Sequence, residues 1–174
     1  MLSYDNIEMI GDDIVRYVLK KEGKRTLIVI ALNPSTADKV KSDRTVDKIR
    51  VYCELWGFDS FIFMNLYPVR STKPTNLPLH IDLSIHKKNL QYITDVLLDN
   101  NYPVLFAFGD SIKERNYLNQ CKKDVFELVS KLPHREFLHL GTLTKNGNPR
   151  HPSRLAYNIE LNSFNIPTIN ETHI

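Results

Sequence analysis

Apolar residues along this chain fall into two alternating rhythms, short unbroken runs and longer stretches with a helical period. Arg25 to Leu32 (RTLIVIAL) is a β-branched and leucine run, the pattern of a strand buried on both faces. Asp43 to Trp56 follows with Val46, Ile49, Tyr52, Cys53 and Trp56 at helical spacing, polar residues that can cap its start, and Gly57 to close it. Phe58 to Tyr67 is a second buried run, and the proline-rich stretch Pro68 to Pro78 reads as a loop. Leu83 to Leu98 predicts a helix with Ile85, Leu90, Ile93, Leu97 and Leu98 on its apolar face. Pro103 to Phe108 predicts a third strand, a helix from Ser111 to about Lys131 follows, and Glu136 to Thr142 predicts a fourth strand. Ile14 to Lys20 adds an antiparallel edge strand ahead of the first. Strands alternating with helices predict one three-layer α/β domain: a mostly parallel central sheet of about four strands, with helices on both faces.

Length and composition support one domain and exclude several other classes. The chain has 174 residues, 42% hydrophobic and 25% charged, which is enough to bury a core and too apolar for disorder. That single domain spans 1–174, with its core at 24–158 and an irregular tail at 159–174. No apolar run reaches the roughly 18 residues of a membrane span. The start, MLSYDNIEMIGDD, is too acidic and polar for a signal peptide, so no membrane partner is expected. Cys53 and Cys121 make neither a disulfide framework nor a C-x-x-C pair, which points to a reducing cytoplasm. The net charge of +3 fits a nucleic-acid partner without requiring one.

Ligands of such sheets bind outside the carboxyl ends of the strands, and the least core-like residues of this chain gather there. The first strand runs into Asn33-Pro34-Ser35-Thr36-Ala37-Asp38, and the second into Asn65-Leu66-Tyr67-Pro68-Val69-Arg70-Ser71-Thr72. The third ends in Gly109-Asp110-Ser111, and the loop after the fourth carries Arg150-His151-Pro152-Ser153. Asn is disfavoured inside strands, so Asn33 and Asn65 belong at the mouth of one cleft. Each taken singly also fits a loop cap. Tyr67 ends its strand where a ring can stack on a planar ligand. No G-x-G-x-x-G, no G-x-x-x-x-G-K-[ST] and no G-x-S-x-G is present, so the dinucleotide, P-loop and serine-elbow readings lack their key residues. His134 and His139 fall in a turn and a strand, outside any recognised metal-ligand spacing, so no metal site is expected. Cys53, on the apolar face of a helix, reads as a small core residue, and Cys121 as the same or as a semi-exposed thiol.

The stretches ALNPSTAD, FIFMNLYPVRSTKP, FAFGDS and KNGNPRHPSRL together resemble a family of bacterial and phage proteins known only as a domain of unknown function. The resemblance covers about Arg25 to Leu155. More distantly, the order of motifs is similar to that of the uracil-DNA glycosylase superfamily: Leu32-Asn33-Pro34-Ser35 after the first strand, Asn65 with Arg70 and Thr72 after the second, Gly109 after the third, and His151-Pro152-Ser153-Arg154-Leu155 in the last loop. The chain departs from that pattern where Leu32 and Ser35 replace the glycines around N-P, and Asp38 and Asp43 add negative charge near the cleft.

That resemblance implies a uracil-DNA-glycosylase-like fold, no cofactor, and a nucleic acid or free nucleotide as partner. Asn33 and His151 would be the catalytic pair, Asn33 orienting a water and His151 donating a hydrogen bond to the departing base. Asn65 would read the base edge, with Pro34, Ser35, Tyr67, Arg70, Thr72, Gly109 and Ser153 around it. Lys73, Arg150 and Arg154 would hold phosphates, and Leu155 would wedge into a duplex. Three functions stay open: hydrolysis of the N-glycosidic bond of a uracil-like or modified base in DNA, action on free nucleosides or nucleotides, and a non-catalytic interaction module. For duplex DNA, Arg70, Lys73, Lys145, Arg150 and Arg154 must form one basic rim.

Overall fold

In a computed structural model, residues 1–132 and 135–167 are described. His134 and the end of the expected tail, 168–174, lie outside them. The described residues form seven strands, β1 (Ile7–Gly11), β2 (Arg16–Lys21), β3 (Thr26–Ala31), β4 (Ser60–Asn65), β5 (Val104–Ala107), β6 (Phe137–Leu140) and β7 (Leu161–Ser163). Three α-helices accompany them among the described residues, α1 (Arg44–Leu55), α2 (Leu83–Leu98) and α3 (Asn116–Ser130). All seven strands join one sheet in the order β1-β2-β4-β3-β5-β6-β7.

This corrects the expected sheet of about four mostly parallel strands: the sheet is seven-stranded and mixed. The pairings β4–β3, β3–β5 and β5–β6 are parallel, while β1–β2, β2–β4 and β6–β7 are antiparallel. The additional strands are weak in sequence for physical reasons. Most of β1 faces solvent, so it lacks a continuous apolar run. The short β7 falls in the stretch read as irregular and is held by register with β6. The expected edge strand near Ile14–Lys20 is instead internal, because β1 covers its outer side.

Helices cover both faces. Val46, Ile49, Tyr52 and Cys53 of α1 pack with Leu27, Val29, Phe61 and Phe63 on one face. On the other, Ile93 and Leu97 of α2 and Leu118, Cys121 and Val125 of α3 pack with Ile28, Ile30, Met64 and Phe106. The strands alternate between these cores because successive side chains leave opposite faces of a pleated sheet. Cys53 and Cys121 are both free and buried, and burial pushes each thiol up to about 12.

The long helix expected from Ser111 to Lys131 is broken. Asp110–Glu114 forms a 3-10 turn, Arg115 is extended, and α3 begins at Asn116. The Arg115 guanidinium donates to the carbonyls of Leu77 and Pro78, tying this break to the loop before α2. No helix among the described residues is long and apolar enough to cross a membrane.

Candidate functional site

A cleft of about 750 Å³ opens at the carboxyl ends of β3 and β5. It lies where chain order reverses across the parallel strands, since β3 leads outward to β4 on one side and β5 lies on the other. Its walls are Leu32, Asn33 and Ser35 after β3, Ser71–Pro74 after β4, Phe108–Ser111 after β5, and Arg150, His151 and Ser153–Leu155 after β6. The start of α1 and the side chains of Arg16 and Phe63 complete it.

Asn33 links two of these walls. Its Nδ2 donates to the carbonyls of Pro34, at 3.0 Å, and Ser71, at 2.9 Å, so the amide nitrogen is fully committed. Its Oδ1 has no protein donor among the described residues and stays available as an acceptor in the cleft.

His151 precedes a 3-10 turn over Pro152–Arg154. Its Nδ1 accepts from the Ser153 backbone N–H at 3.3 Å and sits 2.9 Å from the Ser153 hydroxyl. Those donors assign the proton to Nε2, leaving an N–H for the cleft. Burial holds the imidazole down to about 4, against the opposing field of Asp43, so the ring is neutral at pH 7. Gly109 makes room for it: φ is +67°, and a Cβ there would lie 3.0 Å from that of His151.

Two carboxylates shape the walls. Asp43 caps α1 by accepting from the Thr45 and Val46 amides, and its other oxygen accepts from Ala37 N–H at 3.1 Å. Asp110 Oδ1 accepts from Thr144 Oγ1 and Asn148 Nδ2, both at 2.7 Å, which orders the loop before His151 and lowers the carboxyl below its ordinary value.

The remaining expected residues divide. Ser35, Thr72, Lys73, Gly109, Arg150, Ser153, Arg154 and Leu155 line the cleft, whereas Pro34, Asn65, Tyr67 and Arg70 do not. Tyr67 is fully buried among α2 and α3, its hydroxyl accepts from Asp82 N–H at 3.0 Å, and its ring packs against Tyr117. It therefore cannot stack on a ligand in this cleft. Arg70 is spent on the carbonyls of Asp12, Ser35 and Ala37 and lines a separate shallow depression. Lys145 is exposed away from the cleft, so the expected five-residue basic rim reduces to Lys73, Arg150 and Arg154. Leu155 is half-buried and docked on α1: Lys48 Nζ donates to its carbonyl, and Tyr52 Oη donates to that of Ala156. It is part of a wall rather than a projecting wedge.

Asn65 lies at the end of β4 and is fully buried, yet neither side-chain polar atom has a partner among the described residues. Strand alternation puts it on the face of Phe63, and Ala31 is its register partner; both of those residues line the cleft. Its carboxamide thus lies just beneath the inner wall. Arg16 and Arg44 also line the cleft and were not expected. A lone arginine in the apolar run IVRYVL was the available signal for Arg16. His139 is buried in β6, and among the described residues no three His, Cys, Asp or Glu side chains gather as a metal site.

Fold and site together define an α/β protein with a polar, net-cationic cleft at the switch point of its sheet. The chain belongs to the family described as "Protein of unknown function (DUF1643)", which matches residues 16–153. No curated protein and no solved structure matches it.

Proposed function

We propose that the cleft binds a nucleobase and that the chain hydrolyses the N-glycosidic bond of a uracil-like or modified base. The observation that carries this reading is the free Asn33 acceptor and the neutral His151 donor lining one cleft, with the buried Asn65 carboxamide just beneath its inner wall. An unsatisfied buried amide is costly, about 1–3 kcal/mol for each group, and calls for a partner the free protein does not supply. A carboxamide offers one donor and one acceptor side by side, the complement of the O4 and N3–H edge of a uracil-type base.

The bond breaks as negative charge builds on the base and positive charge on the sugar. Asn33 Oδ1 orients a water toward C1′, and His151 Nε2–H stabilises the oxyanion of the leaving base. The C1′–N bond opens, the water oxygen bonds to C1′, and the water's proton passes to solvent. The released base is then reprotonated from solvent. Neither Asn33 nor a neutral His151 takes that proton, so both roles are positional and electrostatic.

A second reading, action on free nucleosides or nucleotides, draws support from Leu155 and Arg70. With Leu155 docked on α1 and Arg70 tied to carbonyls, the cleft lacks the wedge and part of the rim that duplex DNA would use. The test is a panel of single- and double-stranded oligonucleotides carrying uracil, deaminated or hypermodified bases, run beside free nucleosides and nucleotides. Abasic sites support the first reading, and base release from the free compounds alone supports the second. His151→Ala is expected to lower the rate about 10²- to 10³-fold, as loss of one oxyanion donor does. No release from any member overturns hydrolysis and leaves a binding module.

A further inference from the structure

Arg16 is 1% exposed, yet its side chain reaches the floor of the cleft. Its guanidinium lies 5.6 Å over the Phe63 ring, on the face of β4 that also carries Asn65. Nη1 donates to the Ala37 carbonyl at 2.9 Å, and Nε has no partner among the described residues. No carboxylate of the described residues forms an ion pair with it. Asp43, whose charge acts on Arg16, spends its oxygens on three backbone amides, and Asp110 is engaged by Thr144 and Asn148. A buried cation without an ion pair is expensive, and this one lies at the inner end of a cleft whose mouth is also cationic, with Arg44, Lys73 and Arg154.

We propose that Arg16 forms an oxyanion subsite in the cleft floor, which receives a terminal phosphate or carboxylate of the ligand. The group must be terminal, because a side chain 1% exposed is reached only by the end of a molecule, and a phosphodiester within an unbroken strand continues in both directions. The inference rests on the cleft being the ligand site and narrows its substrates to compounds bearing such an anion. A purely structural role, holding the Ala37 carbonyl, is weakly required, since Arg70 donates to the same oxygen at 3.0 Å.

The test compares, at matched ionic strength, inorganic phosphate with chloride by thermal shift. Calorimetry then compares uridine 5′-monophosphate with uridine, and a pyrimidine carboxylate with the unsubstituted pyrimidine. The anionic member of one pair is expected to bind at least about tenfold more tightly, and which pair shows this identifies phosphate or carboxylate. Arg16→Gln is expected to bring that ratio to about one and to abolish the phosphate-dependent rise in Tm. Equal binding within both pairs, or a ratio unchanged in Arg16→Gln, overturns the subsite. Should Arg16→Gln not fold, the Lys73→Ala/Arg154→Ala double variant, changed only at exposed positions, decides the matter. Anion preference retained there supports the inner subsite, and its loss overturns it in favour of the rim. An Arg16-dependent phosphate response with no base-bearing ligand bound supports the subsite and overturns the nucleobase reading, whereas uridine binding without anion preference does the reverse.

Discussion

Asn65 and His151 meet the cost of burial in opposite ways. Asn65 is buried with both polar atoms unpartnered among the described residues, and on the proposed reading a bound base would supply those partners. Asn65→Val is therefore expected to keep or raise the denaturation midpoint while weakening base binding about tenfold or more. Calorimetry of the variant beside its denaturant curve checks both halves. His151 avoids the cost by staying neutral, its pKa held near 4 by burial. An unfolded histidine titrates near 6.5, so the stability this residue contributes is complete above that pH and is lost as pH falls toward 4. Urea titrations between pH 7 and 4 are expected to show this loss, and His151→Asn to flatten it. Binding of a ligand that does not itself titrate in this range, such as uridine, should cross pH 6.5 without a break.

At the scale of elements, the loops after the strands are tied to one another. Asn33 joins the loops after β3 and β4, Asp110 orders the loop after β6, and Asp43 joins the start of α1 to Ala37. Asp43→Ala removes a helix cap together with that loop bond and is expected to cost about 1–2 kcal/mol. Asp43→Asn, which keeps the cap, should lose only the smaller part, as read from denaturant unfolding. The α1 and α2 helices were legible because amphipathic spacing and local caps coincide in them; both start after an aspartate whose side chain caps the first turn. The start of α3 was not, because Arg115 interrupts an otherwise helical pattern through bonds to carbonyls far away in the chain.

Across the whole molecule, the internal strands β2 to β6 and the helices α1 to α3 build a platform, and the weaker β1 and β7 extend its edges. Phe164, just past β7, is 7% exposed and packs its ring against Phe106, Phe126 and His139. Phe164→Ala is expected to destabilise the fold by about 3 kcal/mol, visible as a lowered midpoint in thermal or denaturant unfolding. Such a loss would show that the stretch after Asn158 belongs to the core rather than to an irregular tail. The chain's modest net charge of +3 also acquires meaning at this scale. Five cationic side chains line the cleft against two carboxylates, and both carboxylates are engaged by hydrogen bonds. Continuous apolar runs determined, from sequence alone, which segments are central strands, because burial on both faces leaves few polar positions. They also determined that Asn33 and His151 lie beyond strand ends, where polar loops must be. Only the tertiary structure decided which face Tyr67 takes, that Arg70 is consumed by carbonyls, and that Arg16 enters the cleft. Those outcomes depend on strand order and on hydrogen bonds between residues remote in the chain, which local hydrophobic periodicity does not encode.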